Sequence, residues 1–258
     1  MQATFNFTRL GMLIKKQWAE HARLYTLTMG AIAGLMAIAL FVWQLVDHPP
    51  VIATYIILLV SMFLGGAIFS SMTFADLSQR TTGIYFLSVP ATHGEKLVCG
   101  ILYSQVFFNA VVLALFFILQ PIAVSMAKSP DFMQFRSAYA HTEFATLVWN
   151  IITAYLAMQA LFILGSVYFQ RFSFVKTVVA TVLTVLVFGA FMNWVIQPIL
   201  PHGMSLNSFS KFGVVIHGQE RTYTLPAWSS VGIRYAFQYI WVPVFWTATY
   251  FRLKEKEL

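Results

Sequence analysis

Six long apolar runs constrain this chain more than any other feature of its sequence. They lie at roughly 25–46, 51–74, 97–120, 144–168, 174–198 and 231–251. A helix needs about 20 predominantly apolar residues to cross the roughly 30 Å hydrocarbon core of a bilayer. Because 59% of the 258 residues are hydrophobic and only 10% are charged, one water-soluble core cannot cover this surface. We therefore predict an all-α, polytopic membrane protein whose six transmembrane helices form a single domain over 1–258.

The Lys and Arg residues between the runs predict the orientation of the chain. With six spans both termini lie on one side, which receives eleven of the 16 basic residues: Arg9, Lys15, Lys16, Arg23, Arg80, Lys96, Arg171, Lys176, Arg252, Lys254 and Lys256. The other side receives five: Lys128, Arg136, Lys211, Arg221 and Arg234. Since basic residues concentrate in cytoplasmic connections, we expect both termini in the cytoplasm and a plasma membrane location, the inner membrane in a bacterium. The net charge of +7 is interpreted as this topology signal, and no nucleic-acid partner is expected.

The segment before the first run, "FNFTRLGMLIKKQWAE" at 5–20, has a helical apolar face. Phe7, Leu10, Ile14 and Trp18 share that face, and the opposite face carries Arg9, Lys16 and Glu20. We predict a separate helix that lies in the cytoplasmic interface, with its basic residues toward anionic headgroups. The alternative is a helix packed on the cytoplasmic face of the protein itself.

The connection at 200–230, expected on the external side, contains the stretch "KFGVVIHGQERTYTL". Apolar and β-branched residues flank His217-Gly218-Gln219-Glu220, which predicts a short β-hairpin.

The familiar catalytic and metal-binding patterns are absent from the sequence. The six His residues form no i, i+4 pair, and neither G-x-S-x-G nor G-x-x-x-x-G-K-[ST] occurs. We therefore predict no catalytic residue, no metal site and no cofactor in this chain. The lone Cys99 is expected to be a small buried hydrophobe.

The predicted spans carry amides in place of charges. The first five contain no Asp, Glu, Lys or Arg away from their ends, which argues against an ion-driven pump. They contain Asn109, Asn150, Gln159, Asn193 and Gln197, for which interhelical hydrogen bonds are the first interpretation. The second interpretation places Asn150, Gln159, Asn193 and Gln197 along a substrate path.

The connection between the second and third spans is the most informative segment. It reads "FADLSQRTTGIYFLSVPATHGEKL" at 74–97. We predict a short interfacial helix, a break at Pro90, and a third span that starts at a capping box of Thr92 and Glu95. Tyr85, Phe86 and Leu87 form an apolar patch beside charges, as in a docking surface for another protein.

At these residues the chain resembles the permease subunits of ABC-2 type transporters. Their connection carries a Gly, then Leu-x-x-Pro-Ala/Ser, then Glu-Lys, and the matching residues here are Gly83, Leu87, Pro90, Ala91, Glu95 and Lys96. The whole chain agrees with that family in architecture, with an amphipathic N-terminal helix, six spans and both ends cytoplasmic.

The resemblance implies an exporter in which two permease copies, here a homodimer, form the path. Separate ATPase subunits would bind ATP and Mg²⁺ and dock below the membrane. Tyr85, Phe86 and Leu87 would insert into a groove on the ATPase, while Arg80, Glu95 and Lys96 orient the contact. Two alternatives stand beside this expectation: a non-transporting assembly factor or sensor, and an intramembrane enzyme that acts on lipid.

Overall fold

The computed structural model describes residues 5–44, 51–78, 80–126, 142–169, 171–199, 205–208, 211–216, 219–224, 228, 232, 235–236 and 239–256, with the backbone alone at several helix ends and in the strands. The helices are α1 (Phe7–Gln44), α2 (Val51–Met72), α3 (Arg80–Ser88), α4 (His93–Ile101), α5 (Phe108–Met126), α6 (Thr142–Tyr168), α7 (Ser173–Ile199) and α8 (Trp241–Glu255). A 3-10 turn, Ala75–Ser78, lies between α2 and α3, and a π turn, Leu102–Phe107, joins α4 to α5.

Five helical segments of the described chain are long and apolar enough to cross a membrane: Phe7–Val42, Tyr55–Met72, His93–Ile122, Trp149–Tyr168 and Ser173–Phe191. They overlap the first five predicted spans, and their length and composition support the prediction of a multi-pass, mainly helical membrane protein. The predicted sixth span falls partly outside the described residues. Its described part is α8, whose 15 residues are fewer than the roughly 20 that a crossing needs.

The N-terminal segment is continuous with the first span, contrary to the prediction of a separate interfacial helix at 5–20. α1 runs for 38 residues without a break. Leu10 and Leu13 are buried in the same apolar cluster as Met36 and Leu40, whereas Phe7 is 80% exposed. The sequence places no Gly-Pro signal between the two parts, and the apolar core of the bundle offers the first turns a surface to pack on. The structure therefore favours the second interpretation, a helix packed on the protein itself.

One end of the helical bundle gathers segments that lie far apart in the sequence. An apolar cluster there contains Phe74, Leu77, Leu97, Ile163, Val167 and Leu253. It joins the connection after α2, the start of the third span, the end of α6 and the end of α8. We call this the α3 end of the bundle.

α8 runs alongside α6 in the same direction. The indole N–H of Trp149 donates a hydrogen bond to the hydroxyl of Tyr239. Fourteen residues further along each of the two segments, Leu253 shares an apolar cluster with Ile163. At about 1.5 Å per residue, these two contacts lie about 21 Å apart along the helices.

The residues between α7 and α8 contain a small sheet with one strand more than the hairpin that the sequence predicts. Strands β1 (Ser205–Ser208), β2 (Lys211–Ile216) and β3 (Gln219–Thr224) pair antiparallel in the order β1-β2-β3. The β2–β3 pairing extends from Ile216 opposite Gln219 to Lys211 opposite Thr224, which confirms the predicted hairpin. The chain is thus mainly α-helical with one three-stranded sheet.

Candidate functional site

The candidate site is the connection between α2 and α4, together with the part of α1 that packs on it. The chain leaves α2 through the 3-10 turn at Ala75–Ser78, where the hydroxyl of Thr82 donates to the carbonyl oxygen of Asp76 at 2.6 Å. Gly83 is buried against this turn, with Asp76 O and Leu77 close to the position where a Cβ would lie. α3 is thereby folded back onto the end of α2.

The start of the third span is the capping box that the sequence predicts. The Thr92 hydroxyl accepts from the Glu95 N–H at 3.2 Å, and the Glu95 carboxylate accepts from the Thr92 N–H at 2.8 Å. Two of the N–H groups that a helix start leaves unpaired are satisfied in this way. Pro90 lies exposed just before the cap, where α3 has ended.

Glu95 also ties the third span to the N-terminus of α1. Its Oε1 accepts from the Asn6 N–H at 2.7 Å and lies 3.0 Å from the guanidinium nitrogen of Arg9. The Glu95 side chain is fully buried, and Arg9 remains 29% exposed. A buried carboxylate is tolerated when several donors and a cation replace its water, and Glu95 has all of these.

α3 is held against α1 by polar contacts to one tyrosine. The Lys16 ammonium lies 4.3 Å from the centre of the Tyr85 ring, and the Tyr85 hydroxyl donates to Glu20 at 3.4 Å. One turn along α1, His21 Nε2 lies 3.0 Å from Asp76 Oδ2 in the 3-10 turn. The N-terminal turns of α1 therefore contact every part of the connection.

The two faces of α3 differ in exposure, which changes the predicted docking patch. Ile84 is 62% exposed and Tyr85 is 59% exposed. Phe86 points inward, packs edge to face on Phe74 with ring centres 6.0 Å apart, and contacts the apolar cluster of the α3 end. The side chain of Leu87 lies outside the described residues. The exposed apolar face is thus Ile84 with Tyr85, and Phe86 is an anchor to the bundle.

The predicted orienting charges do not form an exposed group. Glu95 is fully buried and Lys96 is 2% exposed, with its ammonium 5.4 Å from the centre of the Phe86 ring. Neither side chain is exposed, because α1, α3 and α8 cover the first turn of α4. Their role in orienting an ATPase contact stays a prediction. The side chain of Arg80 lies outside the described residues.

The far edge of the α3 end is formed by the last turns of α8. Leu253 is fully buried, and the Arg252 guanidinium lies 4.9 Å from the centre of the Tyr168 ring and 2.6 Å from Glu255. Burial, and then the neighbouring Arg252, lower the pKa of Lys256 from its usual range. The end of the described chain is thus packed on the bundle.

The span amides are placed mainly by hydrogen bonds between helices. Gln159 is fully buried and donates to the carbonyl oxygen of Ser104 at 3.0 Å, while the hydroxyl of Tyr155 donates to Asn109. These bonds confirm the first interpretation for Asn109 and Gln159. The path-lining interpretation of Gln159 is not supported, because its side chain faces the closed interior of the bundle. Asn150 is half-buried, and the side chains of Asn193 and Gln197 lie outside the described residues.

The sequence did not predict the two charged side-chain pairs that hold α1 against the connection. The Arg9–Glu95 and His21–Asp76 pairs connect residues that are far apart in the chain, and no local spacing reveals them. One pattern could have indicated these contacts, namely the charged face of the amphipathic segment 5–20. Our first interpretation placed that face toward lipid headgroups and not toward the protein.

Comparison of the chain with protein-family models, with curated proteins and with solved structures finds no significant match.

Proposed function

We propose that this chain is the permease subunit of an ABC-2 type transporter, which forms the substrate path as a dimer and is driven by separate ATPase subunits. The observation that carries the proposal is α3. It is a short helix outside the spans that exposes Ile84 and Tyr85 and yet is tied to two spans. An exposed apolar pair on a rigidly held helix is suited to docking a partner protein.

The contacts around α3 support a coupling role. A partner that moves Tyr85 moves Lys16 and Glu20 of α1 with it. Because the first turns of α1 are bonded to Glu95, the same movement reaches the start of the third span. Docking can then shift the bundle between two arrangements, provided that the two ATPase states bind them with different affinity.

The course of α8 supports six crossings. α7 begins at the α3 end and leads away from it, whereas Leu253 of α8 lies at the α3 end again. A sixth crossing between these two points would account for this return. The hydrogen bond between Trp149, near the beginning of α6, and Tyr239 supports a crossing beside α6 that ends in α8. Both ends of the described chain then lie on the α3 side, which the basic residues assign to the cytoplasm.

The proposal is tested by purifying the tagged chain from native membranes in mild detergent, with mass spectrometry and an ATPase assay. We expect a co-purifying protein with a Walker A motif, in equal amount, and vanadate-sensitive ATP hydrolysis. A pure chain without ATPase activity, from membranes where its neighbours are expressed, would favour the assembly factor or sensor.

The docking surface is tested by Tyr85→Asp. A charge in the centre of an apolar contact should reduce ATPase co-purification by about tenfold or more, since central contact residues typically contribute over 1 kcal/mol. Phe172→Asp is the matched control, because Phe172 is an 80% exposed aromatic of the α6–α7 turn and not of α3. Equal losses in the two variants, or none in either, would remove α3 as the docking element.

A further inference from the structure

The third span contains a widened turn in its apolar interior. Between α4 and α5, Leu102–Phe107 form a π turn, in which the N–H of Phe108 donates to the carbonyl oxygen of Tyr103 five residues earlier. A π turn accommodates one residue more than a regular helix and frequently lies at functional sites. None of the coupling contacts described above uses it.

Side-chain amides surround this turn. Gln159 of α6 donates to the carbonyl oxygen of Ser104 at 3.0 Å and to the Tyr155 hydroxyl. Tyr155 in turn donates to Asn109, whose amide donates to the carbonyl oxygen of Gln105. The network satisfies carbonyls on the wide turn and also joins α6 to the third span.

Two buried groups of this network have no hydrogen-bond partner within the described part of the chain. They are the amide nitrogen of Gln105, whose side chain is on a 7% exposed residue, and the amide oxygen of Gln159, which is fully buried. One is a donor and the other an acceptor, so a bond between them would satisfy both. A buried polar group left unpaired is unfavourable, so an arrangement that pairs these two groups would remove this cost.

The two halves of the third span are held by different kinds of contact. Directional bonds tie the half before the π turn and the beginning of the turn itself to α1: the Cys99 thiol donates to Gln17 at 3.0 Å, and Tyr103, the second residue of the turn, donates to the Ile14 carbonyl oxygen at 2.7 Å. Apart from the bond that Asn109 accepts from Tyr155, the half after the turn is packed through apolar side chains, Phe108, Val112 and Phe116. Apolar packing is non-directional, so the second half can turn while the first half stays fixed.

We propose that the π turn is a conformational switch of the third span. When it closes to a regular helix, the extra residue is absorbed and 108–126 turns by about 100° relative to 93–101. Each position is then occupied by the preceding residue, so that Leu115 takes the place of Phe116. Asn109 leaves Tyr155, and the free amide groups of Gln105 and Gln159 pair. This inference does not depend on the proposed function.

Cysteine cross-linking of the full chain in membranes tests the switch. Phe116 contacts Tyr55 of α2, with ring centres 6.2 Å apart. In a Cys99→Ala background, the pair Tyr55→Cys/Phe116→Cys reports the state of this structure, and Tyr55→Cys/Leu115→Cys reports the closed turn. The pair Tyr55→Cys/Phe117→Cys is the matched control, because residue 117 flanks 116 on the other side and neither state brings it to residue 55.

The cross-linker is a short bifunctional methanethiosulfonate. Because the closed turn is expected to be a minor state, the 55/115 pair should react at roughly a hundredth to a tenth of the 55/116 rate. The 55/117 pair should react more slowly still. Val106 is 58% exposed, and its deletion removes the extra residue of the π turn. The side chains of 93–101 and of 108–126 then keep the orientation that they have with the wide turn. In that variant we expect the 55/116 rate unchanged and the 55/115 rate lowered to that of 55/117.

Asn109→Leu provides a second variant that acts in the opposite direction. It removes the bond from the Tyr155 hydroxyl and the bond to the Gln105 carbonyl oxygen, which only the wide turn makes, and should therefore raise the ratio of the 55/115 rate to the 55/116 rate several-fold. The proposal is overturned if the 55/115 pair is no faster than the 55/117 pair in both the full chain and Asn109→Leu. It is also overturned if deletion of Val106 leaves the 55/115 rate as it was.

Discussion

At the scale of single residues, the α3 end depends on how one carboxylate is surrounded. Glu95 is fully buried, yet it accepts from the Thr92 and Asn6 N–H groups and faces the Arg9 guanidinium. Each of these bonds replaces a hydrogen bond to water that burial has removed. The carboxylate can therefore stay charged in the interior, where an unpaired charge would be strongly unfavourable. The same carboxylate caps a helix and fastens the chain terminus, and its loss should release both.

Glu95→Gln should therefore destabilise the protein by about 2–3 kcal/mol, because hydrogen bonds to a charged acceptor are worth about 1.5–3 kcal/mol. In addition, the new amide NH2 group would face the donors that now point at the carboxylate. The control is Glu20→Gln: Glu20 is 39% exposed and lies 3.8 Å from Lys16, so it should cost at most about 0.5 kcal/mol. Thermal unfolding in one detergent measures both variants. Similar shifts in the two midpoints would contradict the special role of Glu95.

A glycine gives the second residue-scale prediction. A Cβ at Gly66 would lie 2.6 Å from the Tyr155 hydroxyl oxygen and 2.9 Å from the Gln159 amide nitrogen, whereas one at Gly30 meets nothing within 4 Å. Gly66→Ala should cost about 1–3 kcal/mol through overpacking. Gly30→Ala should be neutral or stabilise by up to about 1 kcal/mol, because alanine is the better helix former. Equal unfolding midpoints for both variants would show that α2 and α6 do not pack as closely as described.

At the scale of elements, the length of α1 explains why the N-terminal segment lies where it does. Its 38 residues span about 57 Å, well beyond the roughly 30 Å of a hydrocarbon core. The excess is at the α3 end, where α1 contacts the 3-10 turn, α3 and α4. One continuous helix thus connects α3 to the interior of the bundle.

The cap at the start of α4 can be tested separately from the contacts of α1. Thr92→Ala removes the hydroxyl that accepts from the Glu95 N–H and should cost about 1 kcal/mol, while Thr92→Ser keeps the acceptor and should cost much less. Thermal unfolding of the two variants distinguishes the cap from the methyl group. If serine were as destabilising as alanine, packing of the threonine methyl would be the dominant contribution.

At the scale of the whole molecule, the bundle is defined by which segments meet at the α3 end. The connection after α2, the α6–α7 turn and the end of α8 converge there, and the sheet follows α7, which leads away from it. A sixth crossing that ends in α8, as proposed above, would bring the chain back to this end.

Cysteine labelling in cells checks this topology. In a Cys99→Ala background we expect Pro90→Cys and Lys254→Cys, both at exposed positions, to react with an impermeant maleimide only after permeabilisation. Arg221→Cys, in β3, should react in intact cells. Labelling of residues 90 and 254 from opposite sides would contradict the return of the chain along α6.

The elements that depend on local composition could be predicted from the residues alone. Twenty-residue apolar runs must become helices in a bilayer, because their backbone groups find no other partners there. The capping box at Thr92 and Glu95 and the β2–β3 hairpin were equally readable, since their bonds join residues a few positions apart. The third strand and the continuity of α1 were not predicted.

Which polar residues contact one another depends on how the helices pack, and no sequence pattern predicted these contacts. Glu95 was read as a cap and surface charge, and the structure adds Asn6 and Arg9, which lie almost 90 residues away in sequence. Phe86 was read with Tyr85 as one exposed patch, and the fold turns it inward onto Phe74. The physical reason is that a charge or an aromatic ring can be stable on a surface or in the interior. Its partners decide between the two, and they come from helices whose packing no local pattern encodes.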